Sequence, residues 1–130
     1  MELNTVSDMQ TYANQLNVVQ TLTGELQLKL VNRNFLSESG SPDPISAAKC
    51  QELRPQVENL YSQALELVRH AESVLLHTSF NQSPIDTRPM VQELFTLVET
   101  IERLCRFLRS ERRIASKFGP ALTRAISHLH

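Results

Sequence analysis

Glycine is scarce in this chain, with three in 130 residues, and tryptophan is absent. So few glycines, so scattered, exclude a Gly-rich phosphate-binding loop and leave room for only a few tight turns. Aromatic residues make up only 5% of the chain. Few aromatics among many Leu, Val and Ala favour helices over sheets. The two cysteines, Cys50 and Cys105, are too few and too far apart for a disulfide framework or a zinc module. They fit a reducing compartment. No apolar run approaches the roughly 20 residues of a membrane span. The opening Met1-Glu2-Leu3-Asn4 has neither the basic nor the apolar character of a secretion signal. A cytoplasmic or nuclear protein, not a secreted one, is the expectation.

What the chain does have is heptad spacing. Leu53, Val57, Leu60, Ala64, Leu67, Ala71, Val74 and Thr78 alternate at four and three, which places eight side chains along one side of a helix. Tyr61, Val68 and Leu75 form a second row beside that seam. The apolar face is therefore wide enough to touch two neighbours. A first helix over 6–32 carries Met9, Tyr12, Leu16, Val19, Thr23, Leu26 and Leu30 at the same spacing. Gly24 in its interior costs about 1 kcal/mol relative to Ala, and close helix–helix contact through a small residue would explain it. A third seam reads Leu94, Leu97, Ile101, Leu104, Leu108, Glu111, Ala115 and Phe118, interrupted only by Glu111.

Punctuation divides these segments. The polar stretch 37–44 is the clearest linker. Asp43 and Pro44 suit the start of a short helix over 45–53, and Pro55 predicts a break before the main helix over 55–78. A second linker covers 79–88, where Asp86 or Thr87 can cap a third helix over 89–118, with Pro89 in its first turn. Phe35 and Phe80, near the ends of the two connections, can pin them to the bundle ends. Gly119 and Pro120 end the third helix and leave a short amphipathic piece over 121–129. The expected fold class is all-α. It is an antiparallel up-down-up bundle of three long helices, each roughly 40 to 45 Å, with a short C-terminal helix, in one domain over 1–130.

No set of residues assembles a chemistry. His70 and His77 share a helix side with Glu66, but a di-metal bundle needs Glu-x-x-His units on two helices, and Arg69 stands where the His would be. A phosphoryl-accepting His70 would lack the small, Gly-rich and lysine-bearing surroundings it needs. Neither cysteine has a His beside it. No catalytic residue, cofactor or metal is expected, and the protein reads as no enzyme.

Charge is more informative. Residues 1–102 carry 6 basic and 13 acidic groups, whereas 103–130 carry 7 basic and 1 acidic. Such asymmetry means either intramolecular complementarity or an acidic partner. Glu99 and Glu102 each precede an arginine, Arg103 or Arg106, by four, a good geometry for helix-surface pairs. Arg109, Arg112, Arg113 and Lys117 have only Glu111 nearby and form a positive patch flanked by Phe107 and Ile114. A solvated face is one reading of it. An arginine-rich contact for an acidic protein segment is the sharper one.

The functional expectation is a non-enzymatic protein–protein interaction module or complex subunit. It would bind a partner helix or self-associate through apolar faces, using Tyr61, Val68, Leu75, Phe107, Arg109, Arg112, Arg113, Ile114 and Lys117. The alternative is an anionic-surface binder, for acidic phospholipid or nucleic acid, through the C-terminal Arg/Lys cluster. A charge cluster this thin makes nucleic acid the weaker partner.

Overall fold

The computed structural model describes residues 5–32, 47–80, 86–108, 110 and 112–129, with side chains for 8–30, 50–78, 86–108, 110 and 112–129. The described residues are all-helical: α1 (Thr5–Asn32), α2 (Ala47–Phe80), α3 (Arg88–Phe107) and α4 (Pro120–Ser127), with a single 3-10 turn at Ala115–Lys117 and no strand among them.

The heptad of α2 is the axis of the core. All eight of its seam residues, Leu53 through Thr78, are buried. Against them lie Tyr12, Val19, Leu26 and Leu30 of α1 and Val91, Leu94, Val98, Ile101 and Leu104 of α3. Burying an aliphatic side chain of this size contributes about 1.5 to 3 kcal/mol, so the seams hold the helices together. Thr23, the polar member of the α1 seam, is buried without penalty because its hydroxyl donates to the Val19 carbonyl at 2.7 Å.

Polar links between described residues order the α1–α2 contact. His77 Nδ1 donates to the Asp8 carboxylate. Gln15 Nε2 donates to the Gln63 carbonyl and side-chain oxygens at 2.9 and 2.8 Å. Lys29 reaches Gln56 Oε1 at 2.9 Å. The start of α1 thus meets the end of α2.

Three expectations are corrected here. α2 runs unbroken through Pro55, so no separate helix precedes it within the described residues. Pro55 itself is exposed while Leu53 and Val57 on either side of it are buried, and their burial offsets the missing backbone hydrogen bond. Gly24 makes no close contact: a Cβ built there meets nothing within 4 Å. The third helix ends at Phe107, not near residue 118. Its last turn closes with the Leu108 and Ser110 amides donating to the Leu104 and Cys105 carbonyls. A continued helix would carry Glu111 onto the apolar face, where a charge is costly. The chain instead turns and buries Ile114, which is fully enclosed. Gly119 is accordingly the residue before α4, in extended backbone, and not the end of α3.

At the start of α3, Thr87 stands at the cap position and makes no side-chain cap hydrogen bond. Asp86 accepts from the Arg88 backbone and guanidinium, and those bonds hold its carboxyl below the usual carboxylate range. The linker 37–44, Phe35 and the Asp43–Pro44 pair lie outside the described residues, as does the Phe80 side chain.

Candidate interaction surfaces

The C-terminal segment is held by carboxylates of α2 and α3. Glu102 on α3 accepts the Ile114 and Ala115 amides through one oxygen, at 2.7 and 2.9 Å. Glu72 on α2 accepts the Ala121 and Leu122 amides, one per oxygen, both at 2.9 Å. Those are unpaired N–H groups of the first turn of α4, and a carboxylate there satisfies both the donors and the local dipole. Each is a charge-assisted bond, stronger than a neutral one. Gly119 sits so close that an added Cβ would come within 2.5 Å of the Glu72 carboxylate. Between the two caps, Ile114 and Leu122 drop into the core and are fully buried.

A third carboxylate completes the arrangement. Glu58 receives the Arg112 guanidinium at 2.9 to 3.2 Å, and the same guanidinium lies over the Tyr61 ring, 5.2 Å from its centre. The pair is roughly half exposed, so it positions the chain more than it stabilises it. Part of the charge asymmetry is thus used internally: acidic side chains of α2 and α3 hold the segment that follows α3.

This places the expected partner-binding residues. Tyr61 and Arg112 meet, but they meet each other. Val68, Leu75 and Ile114 are buried at 4%, 7% and 0% exposure. The chain's own C-terminal segment covers most of the wide face of α2, and of these three Leu75 keeps an edge open, beside α4. Phe107 is half-buried against the core. Arg113 and Lys117 are exposed and make no ion pair among the described residues; Arg109 lies outside them. Neither Glu99–Arg103 nor Glu102–Arg106 closes among the described residues, since the Glu102 carboxylate has turned to the backbone of residues 114 and 115.

Glu58 and Glu72 were not singled out from sequence, and Glu102 was read only as a surface partner of Arg106. A signal existed: Glu58 and Glu72 recur two heptads apart, one position round from the row Tyr61, Val68 and Leu75. They edge that row with acceptors for whatever covers it.

Glu66 pairs with Arg69 at 2.9 Å on the surface. Among the described residues no three His, Cys, Asp or Glu are grouped to hold a metal. Burial, reinforced by Glu102 and Glu58 and opposed by Arg112, pushes the Cys105 thiol up to about 11. That protonated thiol is a poor nucleophile. Burial, then the Glu93 carboxylate, holds the Tyr12 phenol far above its usual range.

A surface between α1 and α3 stays open among the described residues. α1 packs along α2 but touches α3 far less. Between α1 and α3 runs a trough of about 470 Å³ lined by Thr23, Gly24, Gln27, Glu93, Leu97 and Thr100, among others. Among the described residues, the large apolar side chains of Val18, Leu28 and Leu76 stand exposed elsewhere. No helix of the described residues is long and apolar enough to cross a membrane. No protein-family model, no curated protein and no solved structure matches the chain.

Proposed function

We propose that the chain is a non-enzymatic protein–protein interaction module, built as an antiparallel up-down-up bundle that receives an amphipathic helix from a partner or from a second copy. The pairing of Asp8 with His77 and of Lys29 with Gln56 supports the antiparallel placement of α1 and α2. The observation that carries the functional reading is the open trough at Gly24. An interior helix glycine costs about 1 kcal/mol, and here no internal contact needs it. A glycine on an open trough, where Leu97 lies among threonine and glutamine side chains, lets another helix approach closely, the geometry of helix-in-groove recognition.

The test is light scattering of the full chain combined with capture of partners, using the native protein and Gly24→Leu. Association that Gly24→Leu removes while the melting temperature holds supports the reading. A chain that stays monomeric and captures nothing sinks it, as does association indifferent to Gly24→Leu.

A second reading rests on Arg113 and Lys117, exposed and without ion pairs among the described residues. They suit an anionic surface, acidic phospholipid before nucleic acid. Binding to phosphatidylserine vesicles at low salt that Arg113→Glu with Lys117→Glu abolishes would support it, and absence of vesicle binding at low salt ends it.

A further inference from the structure

Where the end of α2, the start of α3 and α4 come together there is a notch of about 270 Å³. Its apolar lining is Leu75, Val91, Ala121 and Ala125. Its cationic edge is Arg88 from α3 and Arg124 from α4, with the His128 side chain beside them. None of the described residues lining it is acidic. Thr78, also part of the lining, has a buried hydroxyl with no partner among the described residues.

The two arginines differ. Arg88 is already countered by Asp86, with contacts at 3.0 and 3.1 Å. The Arg124 guanidinium is exposed and makes no ion pair among the described residues. The notch is therefore oily below and positive above, with one uncommitted guanidinium. It is smaller than the roughly 300 to 1,000 Å³ of sites that enclose drug-sized ligands. Its size suits a single aliphatic side chain presented by something larger that stays outside.

We propose that this notch takes one leucine- or isoleucine-sized side chain from an acidic segment of a protein partner. The carboxylates flanking that side chain face Arg124 on one wall and exchange with Asp86 at Arg88 on the other. The occupant is argued from charge complementarity. A purely apolar segment would leave the cationic edge unused, and a purely acidic one would leave the lining wet. The inference rests on the reading of the chain as a protein-binding module and gives it a second surface, with a partner chemistry distinct from that of the Gly24 trough.

The experiment titrates a blocked Glu-Asp-Leu-Glu-Asp peptide into the isotope-labelled full chain and follows backbone amide shifts. Two further peptides replace the leucine by alanine or the four acids by lysine, and octanoate serves as a free amphipathic carboxylate. The expected result is shifts centred on Val91, Ala121 and Ala125. Binding should fall at least tenfold for either altered peptide, and at least tenfold for Arg124→Glu, an exposed position whose change leaves the core intact. Three results would overturn the proposal: no shifts at millimolar peptide, equal binding of the leucine and alanine peptides, or octanoate binding more tightly than the peptide. If the peptide fails while association through Gly24 persists, only this inference falls. If the peptide binds while Gly24→Leu changes nothing, the notch stands and the trough does not.

Discussion

Residues 88–107 and residues 108–129 carry the same kind of apolar spacing, yet only the first half is one helix. In α3, Val91, Leu94, Val98, Ile101 and Leu104 follow one another along an unbroken buried stripe. Beyond Leu108 the buried residues among those described are Ile114 and Leu122, with none between them to continue a stripe, and the backbone at each is held by Glu102 and Glu72. The first half is held by apolar burial and its own backbone ladder. The second is held by burial at two points and by carboxylates on other helices. Periodicity is therefore necessary for a helix here but not sufficient, because a tertiary acceptor can outbid the intrahelical one.

The largest effects should come from the core. Leu94→Ala is expected to cost about 2 to 5 kcal/mol, the range for emptying a fully buried leucine site. Denaturant unfolding should show that loss through every probe at once. Ile114→Ala removes a comparable side chain, but its damage should appear first as loss of hydrogen-exchange protection in α4. If the two variants lose protection in the same places, the contrast between the halves is wrong.

Next in size come the caps. Glu72→Ala should cost about 1 to 3 kcal/mol, since it leaves two backbone donors of α4 without their charged acceptor. Glu102→Ala should do the same for the Ile114 and Ala115 amides. In both, amide exchange should rise in the C-terminal segment while the α1–α2 amides stay protected. Uniform loss across all helices would show instead that the segment and the helices unfold as one unit.

A pH arm separates the halves through Cys105, which sits at the end of α3 beneath the Glu58–Arg112 pair. The unfolded thiol titrates near 9.0, whereas the folded one stays protonated to about 11. The folded state therefore holds more protons in that window, and stability should fall as pH rises from about 9 toward about 11. Below the unfolded value the contribution is fully present. Cys105→Ala should flatten that part of the stability–pH curve, leaving the Tyr12 contribution, which has the same sign. An unchanged slope would remove Cys105 from the account.

The smallest effect has the opposite sign. Gly24→Ala should stabilise α1 by about 1 kcal/mol, because the added methyl meets nothing and the helix gains propensity. A thermal melt checks it. Destabilisation would mean that the trough is filled in solution by something the added methyl displaces.

How much of this was legible beforehand follows from where each force acts. The eight-residue seam of α2 was readable because a 3.5-residue repeat reports a buried stripe whatever it packs against. The end of α3 was not readable from propensity, since Arg109, Ser110 and Glu111 disfavour no helix strongly. The hint was Glu111 on the apolar row. Treating that glutamate as a stop rather than a blemish would have placed the boundary near Leu108. Part of the partner-binding set is buried for a related reason. A wide apolar face does not say whether the chain itself covers it, and Val68, Leu75 and Ile114 turn out to be covered.

The amino-acid sequence alone determined that the described residues are helical, which side of α1 and α2 turns inward, and that Leu94, Ile101 and Leu104 of α3 do, because that information is local and repeats every turn. Only the tertiary structure decided that residues 112–129 fold back over α2, that Glu58, Glu72 and Glu102 are their acceptors, and that the space at Gly24 stays open. Those outcomes depend on groups distant in sequence meeting at hydrogen-bond range, and no periodicity within a single helix encodes such a meeting.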